Sequence, residues 1–188
     1  MVNRIALKPA DAVAEEDVGL VDAARAGDPD AREALARRHL QDVFRTALRV
    51  LGDGDLAADA AQDAMVNALN GLDRFRGDAS FRTWVLRITV NSARSLARRR
   101  NRRREVPLTV VDAHAADEPD ASSQVAVRAE ADRARGLLEQ LPTKQRLAVG
   151  LRIDGLSFRE VGQAIGCSEG AARVNYHLGI KRLRERMK

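Results

Sequence analysis

Two stretches of this chain line a helix face with residue types that suit nucleic acid. Between residues 80 and 101, Trp84, Arg87, Asn91, Arg94 and Arg98 recur at helical spacing. Guanidinium groups neutralise phosphates, an amide reads base edges, and an indole offers a stacking surface. Near the C-terminal end, Arg173, Val174, His177, Lys181 and Arg184 share one face of a second helical pattern. Laid in a major groove, that set can hydrogen-bond base edges, touch a thymine methyl and neutralise phosphates. Just ahead of the first stretch, LDRFRGDA places Phe75, Arg76, Gly77, Asp78 and Ala79 before a helix start, a makeup able to hold an unstacked base. Trp84 fits a core position equally well, His177 alone reads as an ordinary surface histidine, and Tyr176 suits core better than stacking. Cys167 is most simply a small buried residue. No G-x-x-x-x-G-K-[ST], H-E-x-x-H, C-x-x-C or G-x-S-x-G occurs, so no catalytic residue, metal site or cofactor is expected; the chain binds rather than catalyses.

The elements that must carry these faces are helices. Of 188 residues, 3% are aromatic and 31% charged, so the core has to come from Ala, Leu, Val and Ile. The expected fold is all-α, with two small helical domains joined by a flexible linker. Apolar periodicity from Leu20 to about Arg100, broken at 27–31, 52–55 and 75–80, predicts four helices. Asp28-Pro29 caps the second, Asp55 the third, and Ser80 or Asp78 the fourth. On that fourth helix Phe81, Val85, Ile88, Ser92 and Leu96 form the packing stripe. Pro107, Pro119, Ser122, Ser123 and the acids Asp112, Asp117, Glu118 and Asp120 mark a linker. Four more helices are expected from Val125 on, with breaks near Leu141-Pro142, Asp154-Gly155 and Gly166. Within GLSFREVGQAIGCSEGAARVNYHLGIKRLRERM, Ser157 and Glu160 make a capping box, Gly166 ends one helix and Ser168 caps the next. That is a helix-turn-helix pattern, with Ala172, Tyr176, Gly179, Leu183 and Met187 as the packing stripe of its second helix. The resulting domains are a tail over 1–16, a first module over 17–104, an acidic linker over 105–124 and a second module over 125–188.

Charge is segregated along the chain. The net charge of +5 divides into −6 over residues 1–73, +10 over 74–104, −5 over 105–140 and +6 over 141–188. Both positive blocks coincide with the two candidate nucleic-acid helices, which points to two polyanion contacts and a separate acidic surface for a basic partner. One Cys excludes a disulfide framework. The opening MVNRIALKPADAVAEED has no apolar signal core and no apolar run spans a bilayer, so a cytoplasmic protein without membrane insertion is expected.

The stretch DLAADAAQDAMVNALNGLDRFRGDASFRTWVLRITVNSARSLARRR closely resembles region 2 of bacterial extracytoplasmic-function sigma factors, of the sigma-70 superfamily. LEQLPTKQRLAVGLRIDGLSFREVGQAIGCSEGAARVNYHLGIKRLRERM resembles their region 4. The resemblance implies a subunit that directs RNA polymerase to promoters, recognises minus-thirty-five and minus-ten elements, and assists melting. It implies that Asp59, Gln62, Asp63 and Asn67 meet the clamp helices of the polymerase largest subunit, and that the flap region of core polymerase is a further partner. It implies that Phe75, Arg76, Gly77, Asp78 and Ala79 capture a flipped base of the melted minus-ten element. Trp84, Arg87, Asn91 and Arg94 would read the rest of that element, with Arg98 to Arg104 near phosphates. Arg173, Val174, His177 and Lys181 would enter the major groove at minus thirty-five. The acidic linker would thread toward the RNA exit channel, and an anti-sigma factor would grip both modules. Leu178 stands where the family often has Arg or Lys, which leaves the preferred DNA sequence open. Two other readings carry weight on residues alone: a helix-turn-helix repressor or activator whose first module dimerises or senses a ligand, and an arginine-rich enzyme acting on nucleic acid. The sequence leaves open whether the free chain is compact or splayed.

Overall fold

The structure, a computed structural model, describes residues 10–104 and 136–187. The expected linker over 105–124, the beginning of the tail and the start of the second module lie outside the described residues. Four helices form the N-terminal module: α1 (Ala10–Arg25), α2 (Pro29–Leu51), α3 (Gly54–Asn70) and α4 (Phe81–Arg104), with a 3₁₀ turn at Leu72–Arg74. The C-terminal module holds a helical turn at 136–139, then α5 (Thr143–Ile153), α6 (Phe158–Ile165) and α7 (Glu169–Arg186). All the described secondary structure is helical, as composition required.

Local chemistry sets the helix starts. The Asp28 carboxylate accepts from Asp30 N at 2.9 Å and Ala31 N at 3.3 Å, ahead of a proline whose missing N–H costs nothing there. For α3 the cap is Asp53 rather than Asp55: its carboxylate accepts from Leu56 N at 3.0 Å. Asp55 instead sits in the first turn, where its charge still favours the helix dipole. Ser80, not Asp78, caps α4 by accepting from Thr83 N at 3.2 Å. The Ser157–Glu160 capping box and the Ser168 cap form as expected, and Gly166 ends α6 at φ 75°, a conformation that disfavours a Cβ.

Packing follows from side-chain size. Five buried alanines of α3, Ala57, Ala60, Ala61, Ala64 and Ala68, let α2 and α4 come close on either side. Leu35 and Val43 of α2 and Phe81, Val85, Leu86 and Val90 of α4 fill the centre. Helix α1 is fixed by a buried polar contact: Asp17 accepts from Arg38 Nη1 at 2.9 Å and lies 2.9 Å from His39 Nε2. In the second module, Gly179 lets α7 cross α5; a Cβ there would fall 2.7 Å from Val149 Cγ2. Met187, expected on the α7 packing stripe, is 74% exposed because it is the C-cap residue, past that crossing.

The modules are not splayed. One continuous apolar core holds Val85, Leu86 and Val90 together with Leu151, Leu156, Val161 and Ile165, and α6 lies against α4.

Candidate nucleic-acid interface

The loop before α4 is organised by aromatic packing. Phe75 lies 5.3 Å from Trp84 and 5.9 Å from Phe81 between ring centroids, and Phe81 in turn meets Trp84 at 5.8 Å and His39 at 5.3 Å. Arg25, a residue that sequence reasoning missed, holds the loop from α1. Its Nε donates to the Leu72 carbonyl at 3.1 Å, its Nη2 to the Phe75 carbonyl, and its guanidinium lies over the Phe75 ring. No local periodicity links Arg25 to Phe75, which lies 50 positions further along the chain. A hollow of about 220 Å³ opens beside the loop, lined by Phe75, Arg76, Asp78, Ala79, Trp84 and Arg87 among others, with Gln163 of α6 at its wall. Aromatic faces beside guanidinium groups in an open concavity can stack and hydrogen-bond an unpaired base.

Along α4 the expected reader face divides. Arg87, Asn91 and Arg98 are exposed. Trp84 is half-buried: one side packs on Phe75 and Phe81, and the rest lines the hollow. Arg94 is engaged, its Nη1 donating to the Ile165 carbonyl at 3.2 Å, where the C-terminal end of α6 favours a cation.

The face of α7 is open. Arg173, Val174, His177, Lys181 and Arg184 are all exposed, and Leu178 joins them at 45% exposure, so the face carries two apolar contacts among its cations. Phe158 orients part of it: the Arg173 guanidinium lies 5.1 Å from its ring while pairing with Glu169 at 3.0 Å. Tyr176 packs against Phe158 rather than offering a free stacking face. Burial pushes the Cys167 thiol up, against the pull of Lys144 and Arg94, so it stays protonated at neutral pH.

A third surface lies on α3. Asp59, Gln62, Asp63 and Asn67 are exposed on one stripe, and Val66 stands among them at 51% exposure. The spacing 59, 62, 63, 66, 67 is helical, so Val66 was within reach of the sequence, but only exposure separates it from core. An acidic stripe with an apolar centre suits a basic protein surface rather than DNA. No group of His, Cys, Asp and Glu among the described residues could hold a metal ion. No described helix is long and apolar enough to cross a membrane.

The chain thus holds a helix-turn-helix in one helical module and a cationic helix behind an aromatic loop in the other. Residues 35–103 match the family described as Sigma-70 region 2, and residues 131–183 match Sigma-70, region 4. The chain is 30% identical over 168 residues to the RNA polymerase sigma-H factor of Pseudomonas aeruginosa, covering 85% of this chain and 87% of that protein. It is 32% identical over 167 residues to RNA polymerase sigma factor CarQ of Myxococcus xanthus, covering 86% and 91%. It is also 32% identical over 168 residues to the ECF RNA polymerase sigma-E factor of Escherichia coli K12, covering 84% and 86%. Among solved structures, CnrH in complex with the cytosolic domain of CnrY superposes with a TM-score of 0.66 at 26% identity, over 91% of this chain and 96% of that one. Sigma factor RpoE in complex with the anti-sigma factor NepR from Bartonella quintana gives 0.61 at 23%, over 81% and 94%, a likeness of fold. The chain belongs to the extracytoplasmic-function sigma factors of the sigma-70 family, whose members direct transcription initiation.

Proposed function

We propose that this chain binds core RNA polymerase through α3 and delivers it to promoters by gripping DNA at two separate places, acting in the cytoplasm without bond chemistry of its own. Asp59, Gln62, Asp63, Asn67 and the apolar Val66 dock on the clamp helices of the largest subunit. Charge complementarity there speeds encounter and sets orientation, while Val66 gives the contact an apolar centre. Phe75, Arg76, Gly77, Asp78 and Ala79 take an unstacked minus-ten base into the hollow beside Trp84. Arg87, Asn91, Arg94 and Arg98 follow the rest of that strand. The modules over 17–104 and 125–188 act as the two DNA grips, with the acidic segment between them. An anti-sigma factor controls the chain by covering these surfaces, a reading supported by its likeness in fold to sigma factor RpoE in complex with the anti-sigma factor NepR.

The observation that carries the proposal is the exposed face of α7. Arg173, Val174, His177 and Lys181 project from a capped helix-turn-helix with donors, two cations and an apolar group together, the mixture that reads base edges and phosphates at a minus-thirty-five duplex. Purified core polymerase, with and without the chain, is given fragmented genomic DNA and the 5′ ends of the transcripts are sequenced. The expected result is a set of discrete start sites preceded by two shared elements. Start sites unchanged by adding the chain would refute the proposal.

A further inference from the structure

Arg25 is the last residue of α1, and the main chain beneath it is firmly seated. Val21 and Ala24 are buried, Arg32 Nε donates to the Ala24 carbonyl at 3.2 Å, and the amides of Ala26, Gly27 and Asp28 return to carbonyls of Asp22, Ala24 and Ala23. From that base the Arg25 side chain crosses to the loop and makes three contacts. Nε donates to the Leu72 carbonyl at 3.1 Å, Nη2 donates to the Phe75 carbonyl, and the guanidinium carbon lies 5.8 Å from the centre of the Phe75 ring, within cation–π range. Asp22, one turn back, braces it at 3.5 Å. A planar, forked cation can serve two carbonyls and a ring face together; an ammonium group cannot.

The loop has little else to hold it. The 3₁₀ turn closes with the Phe75 amide on the Leu72 carbonyl at 3.0 Å, and α4 begins with the Trp84 amide on the Ser80 carbonyl at 3.0 Å. Between them, from Arg76 to Ala79, no hydrogen bond or ion pair joins the chain to any described residue. On the α1 side a second hollow of about 260 Å³, lined by Val18, Val21, Phe75, Gly77 and Phe81 among others, leaves the loop room to fall inward. Arg25 is the polar strut that keeps it out. Because the peptide is trans, a Phe75 carbonyl fixed toward α1 also turns the Arg76 amide the opposite way, and no described residue accepts from that amide.

We propose that Arg25 is a positioning residue for capture of the unpaired base: it sets the Phe75 ring against Trp84 and orients the Arg76 peptide, so that α1 takes part in reading the melted strand through the loop. The proposal rests on the reading of that loop as the base-capturing element. A base entering a loop already in place does not have to order it, and such ordering weakens binding. Loss of one charge-assisted hydrogen bond from this frame should cost about tenfold in discrimination between bases.

In the test, core polymerase is reconstituted with the full-length parent, Arg25→Met or Arg25→Lys. Each is given premelted promoter fragments, built on the mapped start sites, with each base in turn at every unpaired position, and complex stability is measured at several salt concentrations. The parent should prefer one base at one unpaired position. Both variants should lose about tenfold of that preference, with affinity for core polymerase and the preference at the upstream duplex unchanged. Trp84 is the sole tryptophan of the chain, so its emission in the free protein reports on the loop; it should shift to longer wavelength in both variants as Phe75 leaves its face. Preference restored by Arg25→Lys, with uniform weakening and a shallower salt dependence in Arg25→Met alone, would make Arg25 a phosphate contact and overturn the proposal. Unchanged preference in both variants also overturns it, as does loss of helical circular dichroism in both, since Arg25 would then serve folding. A parent with no base preference at any unpaired position removes the reading of the loop instead, and an unshifted Trp84 emission would then overturn the strut as well.

Discussion

Replacing Gly179 tests whether α7 is held against α5 by close approach, because two opposing magnitudes meet at that residue. Gly→Ala inside an exposed helix stabilises by about 1 kcal/mol through helix propensity. At Gly179, however, the new methyl would sit 2.7 Å from Val149 Cγ2 and 3.4 Å from the Gln145 carbonyl oxygen, and Val149 is itself buried. Forcing a carbon into such a contact costs about 1–3 kcal/mol, so the steric term wins and Gly179→Ala destabilises by about 1 kcal/mol. Gly170, in the first turn of the same helix, has nothing within 4 Å of the same construction. Gly170→Ala therefore stabilises by about 0.4–1 kcal/mol through the unfolded chain. Urea titrations of both single variants, followed by circular dichroism, give the comparison without reference to any DNA ligand. Gly179→Ala as stable as Gly170→Ala would show that α7 does not approach α5 as described and that its outward face is not fixed by that crossing.

Asp63→Arg should weaken competition for core polymerase while leaving binding of the free chain to duplex DNA unchanged; normal competition would remove α3 from the interface. Arg173→Ala should cost about 1–3 kcal/mol at one promoter position and relax the preferred base there, with polymerase affinity intact, as read by a library of upstream elements. Burial pushes the Asp42 carboxyl up, but the hydrogen bonds and charges of Arg82 and Arg45 outweigh it and hold the group below its ordinary 3.8. Its contribution to stability is therefore full above that value and disappears as pH falls through the lower folded value. Acid titration of the parent should show a loss that Asp42→Asn, less stable at neutral pH, no longer shows. Equal acid sensitivity in the two proteins would count against the pairing.

Much of the local structure was legible because it is decided within one turn of helix. Asp28 before Pro29, the Ser157–Glu160 box, Gly166 and Ser168 each act on backbone groups two to four residues away, and all four do so in the structure. The cap of α3 was read two residues late because GDGD offers two carboxylates, and only the φ and ψ of Asp53 choose between them. The α7 face was legible for the same reason of period, since helical spacing separates Ala172 and Gly179 from Arg173, His177 and Lys181.

What the sequence determined by itself was the helices, most of their caps, the sign of charge on each face and the family. What only the tertiary structure decided was which faces meet: that Trp84 is shared between packing and the hollow, that Arg25 holds the loop, and that Arg49 reaches a carboxylate 105 residues away. Periodicity reports on neighbours along a helix. A contact between modules depends on shape and burial at both ends, and no spacing in one strand of letters records it.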